Sequence, residues 1–215
     1  METRTMKKTL TARVLAGAAI IGAAGLFLGM APSDAAVPAR TAAVSAHAKP
    51  ALKPASLHFS YKCWGTGSHC NVAVHAPTGW KFTQLSRQHA KFTDSSNTWM
   101  LRVNGGLGGK VSTSRAADQR VHALHGVAGF KMTYRGNGTT ASKVGWDAPR
   151  VAYTQISYTY RDGARGQRWV STRFVDTFEN GRRAYIEITV SGRPQDQAGL
   201  NKVLTEATQR VALVG

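Results

Sequence analysis

Between Val151 and Val190 apolar and polar residues alternate with a period of two, and this limits the chain more than any other feature of its 215 residues. Ala184, Ile186, Ile188 and Val190 alternate with Tyr185, Glu187 and Thr189. In the run before it, Val170, Thr172 and Phe174 fall on one side, and Trp169, Ser171, Arg173 and Val175 on the other. Successive side chains of a strand point to opposite faces, so each run reads as a half-buried strand. A third strand, Val151 to Arg161, precedes them and returns through the five residues Asp162 to Gly166. That loop puts Ile156 and Tyr158 on the face of Phe174, and Tyr153, Gln155 and Arg161 on the face of Trp169 and Arg173. The prediction is a three-stranded antiparallel meander.

The last turn decides the second register, because a one-residue slip moves every side chain to the other face. A two-residue Asn180-Gly181 loop sets Phe174 opposite Glu187 and Arg173 opposite Ile188. A three-residue loop, Glu179-Asn180-Gly181 with Gly181 left-handed, pairs Phe174 with Ile186 and Arg173 with Glu187. The second buries apolar against apolar and makes an opposite-charge pair across the strands, so it is the register expected.

Upstream, short β-rich runs lie at Leu57–Cys63, Asn71–His75, Trp80–Leu85, Ala90–Thr93, Trp99–Val103 and Phe130–Tyr134, several separated by turn residues. Ser114 is a candidate cap for a helix running to about Leu124, with Ala117 and Val121 on its apolar stripe and Gly126 as its stop. A second helix starts near Pro194 and carries Leu200, Val203, Leu204, Ala207 and Val211 along one side. Strands with a few helices out of strict alternation predict an α+β domain: an antiparallel sheet, the meander within it, packed with two or more helices. No internal repeat is present.

The N-terminus carries a different signal. Arg4, Lys7, Lys8 and Arg13 precede an uncharged apolar run from Val14 to Met30, and Ser33-Asp34-Ala35 supplies small residues for a cut after Ala35. Residues 1–35 therefore read as a secretory signal peptide, with an uncleaved membrane anchor as the competing reading. Residues 36–56, rich in Ala, Pro and Lys without apolar periodicity, read as a disordered basic linker, and 57–215 as one globular domain. The expected location is extracellular, secreted or associated with the cell envelope.

At this point a resemblance carries further. Ala76-Pro77-Thr78-Gly79-Trp80-Lys81 resembles the Pro-x-Gly-Trp entry of Mog/PsbP-like domains. The later order of meander, Gly192-Arg193-Pro194 and amphipathic C-terminal helix is also similar to theirs. Such domains, the LpqN-like ones included, occur in secreted actinobacterial proteins, Gram-positive bacteria whose Ala/Arg/Gly-rich composition this chain shares. The resemblance covers roughly 57–215. It implies an antiparallel sheet with helices against its faces and a binding or accessory role, with no shared site and hence no residue to carry over.

Charge frames the partner question. The chain has 28 Lys+Arg against 11 Asp+Glu; signal removal takes four basic and two acidic residues, leaving 24 against 9 and a net charge of +15. An exported basic chain meets anionic polymers or lipids, namely wall polyanions or phospholipid head groups, and no native nucleic-acid partner is expected. Arginines concentrate in the meander, and Arg161, Arg168, Trp169, Arg173, Arg183 and Tyr185 form the candidate anion-binding set, combining charge with stacking. The competing reading is that a helix covers this face.

Other motifs carry less. Cys63 and Cys70 flank Trp64-Gly65-Thr66-Gly67-Ser68-His69, and in an exported chain they most simply form a local disulfide. A metal site from His58, Cys63, His69, Cys70 and His75 lacks the short ligand knuckle of structural zinc, so no metal or other cofactor is expected. His122 and His125 read as a polar helix face. The run Asn104 to Lys110 fails as a phosphate loop, because Asn104 replaces the first Gly and Val111 the magnesium-binding hydroxyl. No G-x-S-x-G elbow exists and the carboxylates sit mostly in turns. A non-catalytic protein of the envelope is the expected class. A secreted hydrolase with an unrecognised site, or an anchored interaction domain, are the alternatives.

Overall fold

The computed structural model describes residues 49–144, 149–178 and 182–214. The expected signal peptide and most of the expected linker lie outside the described residues. Strands β1 (Phe59–Trp64), β2 (Val72–Pro77), β3 (Lys81–Ser86), β4 (His89–Thr93) and β5 (Met100–Asn104) come first, followed by α1 (Thr113–Leu124). Then come β6 (Lys131–Ala141), β7 (Arg150–Arg161), β8 (Gln167–Asp176), β9 (Ile186–Gly192), α2 (Gln197–Gln209) and β10 (Ala212–Leu213). Two antiparallel sheets result, a seven-stranded one in the order β3-β4-β5-β9-β8-β7-β6 and a three-stranded one in the order β1-β2-β10. The α+β architecture is as expected, and the meander β7-β8-β9 sits within the large sheet. No helix among the described residues is long and apolar enough to cross a membrane.

The large sheet has two differently covered faces. On one, α2 buries Leu200, Val203, Leu204 and Ala207 in a cluster with Val175, Ile186, Ile188 and Val190. The small sheet extends that cover, with Trp64 of β1 packed on Phe82 and Phe92 at ring distances of 6.1 and 6.0 Å. On the other face α1 sets Ala116 and Ala117 against Ile156, Tyr158, Val170, Phe174 and Ala184. These partners come from β7, β8 and the segment before β9, so α1 leaves the rest of that face uncovered.

The five-residue return gives the expected β7–β8 register, with Arg161 opposite Gln167 and Gln155 opposite Arg173. The β8–β9 register is not the expected one: Phe174 lies opposite Glu187, Arg173 opposite Ile188 and Val175 opposite Ile186. This is the register that the two-residue Asn180-Gly181 alternative gives, and the preference for apolar-on-apolar and Arg173-on-Glu187 pairing fails because the chain before β9 has other partners. Arg182–Ala184 pairs instead with the segment before α1, through Gly109 N–H to Ala184 O (3.0 Å), Ala184 N–H to Val111 O (2.9 Å) and Thr113 N–H to Arg182 O (2.7 Å). Arg173 and Glu187 therefore point to opposite faces and are not partners.

Two boundaries also move. The α1 cap is Ser112, whose hydroxyl accepts from the Arg115 N–H at 3.1 Å, whereas the expected cap, Ser114, lies inside the helix and accepts from Arg135 at 3.0 Å. The packed chain begins before Leu57. Residues 49–56, assigned by composition to the linker, form a strap ending in a short 3-10 turn, and Leu52 is buried against α2 at Gly199. Its N–H donates to Asp196 at 3.0 Å, and Arg193 donates to the carbonyls of Lys49 and Pro50 at 2.6 and 2.8 Å.

Candidate functional site

Cys63 and Cys70 form the expected disulfide, with Cα atoms 5.6 Å apart, closing the turn between β1 and β2. No group of three metal-ligating side chains occurs among the described residues. His122 and His125 meet edge to face at 5.9 Å on the outer side of α1's end. The glycine loop after β5 spends its amides internally: Gly105 on Gln88 O, Gly106 on Asn104 Oδ1, Leu107 on Tyr185 O and Gly109 on Ala184 O. It offers no cradle for phosphate.

The six residues expected to hold an anion do not share one surface. Trp169 and Arg173 lie under α2, and both are buried. Arg173 stacks on Tyr153 at 4.2 Å and donates to Gln155 Oε1 (2.9 Å) and Thr208 Oγ1 of α2 (3.2 Å). Burial pushes its pKa down. Arg168 is sealed on the opposite face, where Nη2 donates to Ser191 Oγ at 3.4 Å. Arg161 is exposed at the end of β7. Arg183 braces the glycine loop through Gly109 O (2.5 Å) and Lys110 O (3.2 Å), and the Tyr185 ring meets Phe178 at 4.7 Å. A helix covers the Trp169/Arg173 face, and Arg183 and Tyr185 serve the β9 approach.

The open basic surface lies elsewhere. The face of β3, β4, β5 and β9 beyond α1 carries Lys81, His89, Lys91 and Arg102, interleaved with Thr83, Thr93 and Thr189. Those on β3, β4 and β5 point away from the core because their neighbours along the strand, Phe82, Ala90, Phe92, Leu101 and Val103, face it, whereas Thr189 on β9 is buried. Lys91 and Arg102 stand directly opposite each other. Arg102 Nε donates to His89 Nε2 at 2.5 Å, and burial, then the Arg102 charge, lower the His89 pKa. Glu187 is the acid of this face. It is held by both carboxylate oxygens on Arg120 Nη2 of α1, each at 2.7 Å. Between α1 and the strands lies a pocket of about 270 Å³ lined by Arg102, Arg120, Tyr158, Tyr160, Glu187 and Ser191 among others. Burial pushes the Tyr158 pKa up to about 12 and raises that of Tyr160, so both phenols remain donors at neutral pH.

Sequence reasoning missed this face because it followed the density of arginines. The legible signal was Lys81, Lys91 and Arg102 alternating with core aromatics and aliphatics. A second, apolar groove of about 620 Å³ lies beside the strap, where Trp80 and Trp99 stack at 6.5 Å and Lys49 sits 3.8 Å above the Trp99 ring.

No family model matches the sequence. No curated protein matches it either. Solved structures do resemble it. The Ran-binding protein Mog1p of Saccharomyces cerevisiae aligns at a TM-score of 0.48 and 8% identity, over 74% of this chain and 97% of that one. LpqN of Mycobacterium tuberculosis, involved in cell envelope biogenesis, aligns at 0.43 and 11% identity, over 74% of this chain and 92% of that one. A Pseudomonas aeruginosa protein of unknown function aligns at 0.37 and 15% identity, over 74% and 97%. The chain is thus similar to a Mog protein and to LpqN, the kinds of domain its sequence resembles, and no residue, ligand or partner is carried over from them.

Proposed function

We propose that this chain is an exported, non-catalytic binding or accessory protein of the cell envelope. It contacts anionic polymers or lipids through the open face of β3, β4 and β5. One observation carries the reading: Lys91 and Arg102 lie opposite each other across β4 and β5, and neither has a carboxylate partner among the described residues. Like charges directly opposite on a sheet are destabilising, and an anion laid across the pair removes that cost. Lys81, diagonal to Lys91, lengthens the strip, and the interleaved threonines add hydroxyl donors.

Co-sedimentation with purified cell wall, and separately with anionic vesicles, tests this across a salt series. Binding falls steeply with ionic strength, as charge-driven contact with a polyanion requires. The double substitution Lys91→Glu with Arg102→Glu abolishes it, whereas Arg161→Glu, on the far face, changes little. Salt-insensitive binding, or a double variant that binds like the unaltered chain, sinks the proposal.

A further inference from the structure

The pocket beside α1 holds more positive charge than the open strip accounts for. Arg168, the residue behind Ser191, is 3% exposed, and its cross-strand neighbour on β7 is Tyr160. Two residues that line the pocket, Ser191 and Tyr160, therefore border its side chain. Its bond to Ser191 is long, at 3.4 Å, and its Nε is buried without an acceptor. No carboxylate among the described residues pairs with it. A guanidinium sealed from water with so few acceptors is strongly unfavourable unless something supplies both charge and oxygens. Glu187 does not, because Arg120 already holds both its oxygens. Asp162, which accepts from the Tyr160 hydroxyl at 3.3 Å, is held by Arg165 at 2.6 Å, so Arg102, Arg120, Arg165 and Arg168 against Glu187 and Asp162 leave a local charge of +2.

We propose that this pocket binds a small phosphate monoester, with Arg168 as its buried counter-charge and Arg102 and Ser191 as further donors. A phosphate monoester near neutral pH carries close to two negative charges and three strong acceptor oxygens. Both match the pocket better than the single charge of a carboxylate. Leu124 and Val127 line the opposite wall and suit an apolar body on the ester. The proposal rests on the reading of a basic binding face, but requires a discrete group in a pocket and not a polymer along the strip.

Phenyl phosphate is the probe, titrated into the purified chain and followed by backbone amide shifts. Saturable shifts centred on Tyr160, Thr189 and Ser191 are expected. Arg168→Met weakens binding at least about tenfold, the value of one charge-assisted contact. It leaves wall binding in place and does not lower the melting temperature, since it removes an uncompensated charge. Lys91→Glu, outside the pocket, gives the reverse: phenyl phosphate binding persists and wall binding falls. Ser191→Asp plants a carboxylate beside Arg168 and is a second arm should the methionine variant fold poorly; it raises the melting temperature and excludes the probe. Absence of saturation in the unaltered chain, or an Arg168→Met protein with unchanged affinity, overturns the pocket. Either result leaves the strip standing if salt-dependent wall binding continues, whereas loss of wall binding alone overturns only the strip.

Discussion

Asp94 holds the strap to the turn between β4 and β5, and its carboxylate gives a stability experiment with a calculable size. The residue is 5% exposed. It accepts from the N–H of Trp99 at 2.6 Å, the N–H of Ser96 at 3.1 Å, the Ser96 hydroxyl at 2.5 Å and the Lys49 ammonium. Burial alone would raise its pKa, but the Lys49, Ser96 and Trp99 donors outweigh burial and bring it from 3.8 to about 2. That fall corresponds to about 2 kcal/mol of folding free energy. The folded pKa lies below the unfolded one. The contribution is therefore complete above about pH 4 and is lost as pH falls toward about 2. Urea unfolding of the unaltered chain and of Asp94→Asn across pH 2 to 6 measures it. The variant is expected to be less stable by about 2 kcal/mol at pH 6, and the gap closes as the acid limit is approached. Lys49→Met keeps the Ser96 and Trp99 donors and costs less. Two pH profiles that run parallel from pH 6 to pH 2 would refute the assignment.

Two further outcomes concern the framework. Breaking the Cys63–Cys70 bridge with Cys70→Ser lowers stability by about 2–3 kcal/mol, since the closed loop is short, and denaturant midpoints with and without reductant check it. At Gly199 a Cβ would come within 2.4 Å of the Leu52 carbonyl oxygen, so Gly199→Ala costs about 1–3 kcal/mol and releases the strap. Loss of hydrogen-exchange protection at the Leu52 amide reports that release, and unchanged protection would contradict it.

The parts of the fold legible in the sequence were those set by local rules. Period-two alternation placed the strands of the meander, and a five-residue return set the β7–β8 register, because loop length and pairing are coupled when nothing intervenes. The β8–β9 register obeyed a distant partner. Arg182–Ala184 pairs with the segment before α1, and Glu187 is drawn to Arg120, 67 residues away in the chain. The two-residue loop gives this register, but the pairing argument that set it aside, Arg173 with Glu187, does not contain that helix. The strap was illegible for a similar reason: a Lys-Pro-Ala-Leu-Lys-Pro stretch looks like a linker until Arg193 and Asp196 supply acceptors and donors for its backbone. Of the candidate site, the sum of charge was visible and its address was not. Arginine density favoured the meander, where Arg173 and Arg183 are spent on Gln155, Thr208 and the glycine loop. Which sheet face stays bare depends on where two short helices land, and the sequence of the strands does not encode that.

The strap also decides where the domain takes mechanical load. A pull on the strap at Lys49 meets first the Lys49–Asp94 ion pair and the Arg193 bonds to the Lys49 and Pro50 carbonyls, then the Leu52–Asp196 bond. None of these belongs to the sheet ladder. A few side-chain clamps would yield before a strand is drawn, letting out roughly eight residues, or about 25–30 Å of chain, as slack. The seven-stranded sheet and its open face would remain intact while that length is given up.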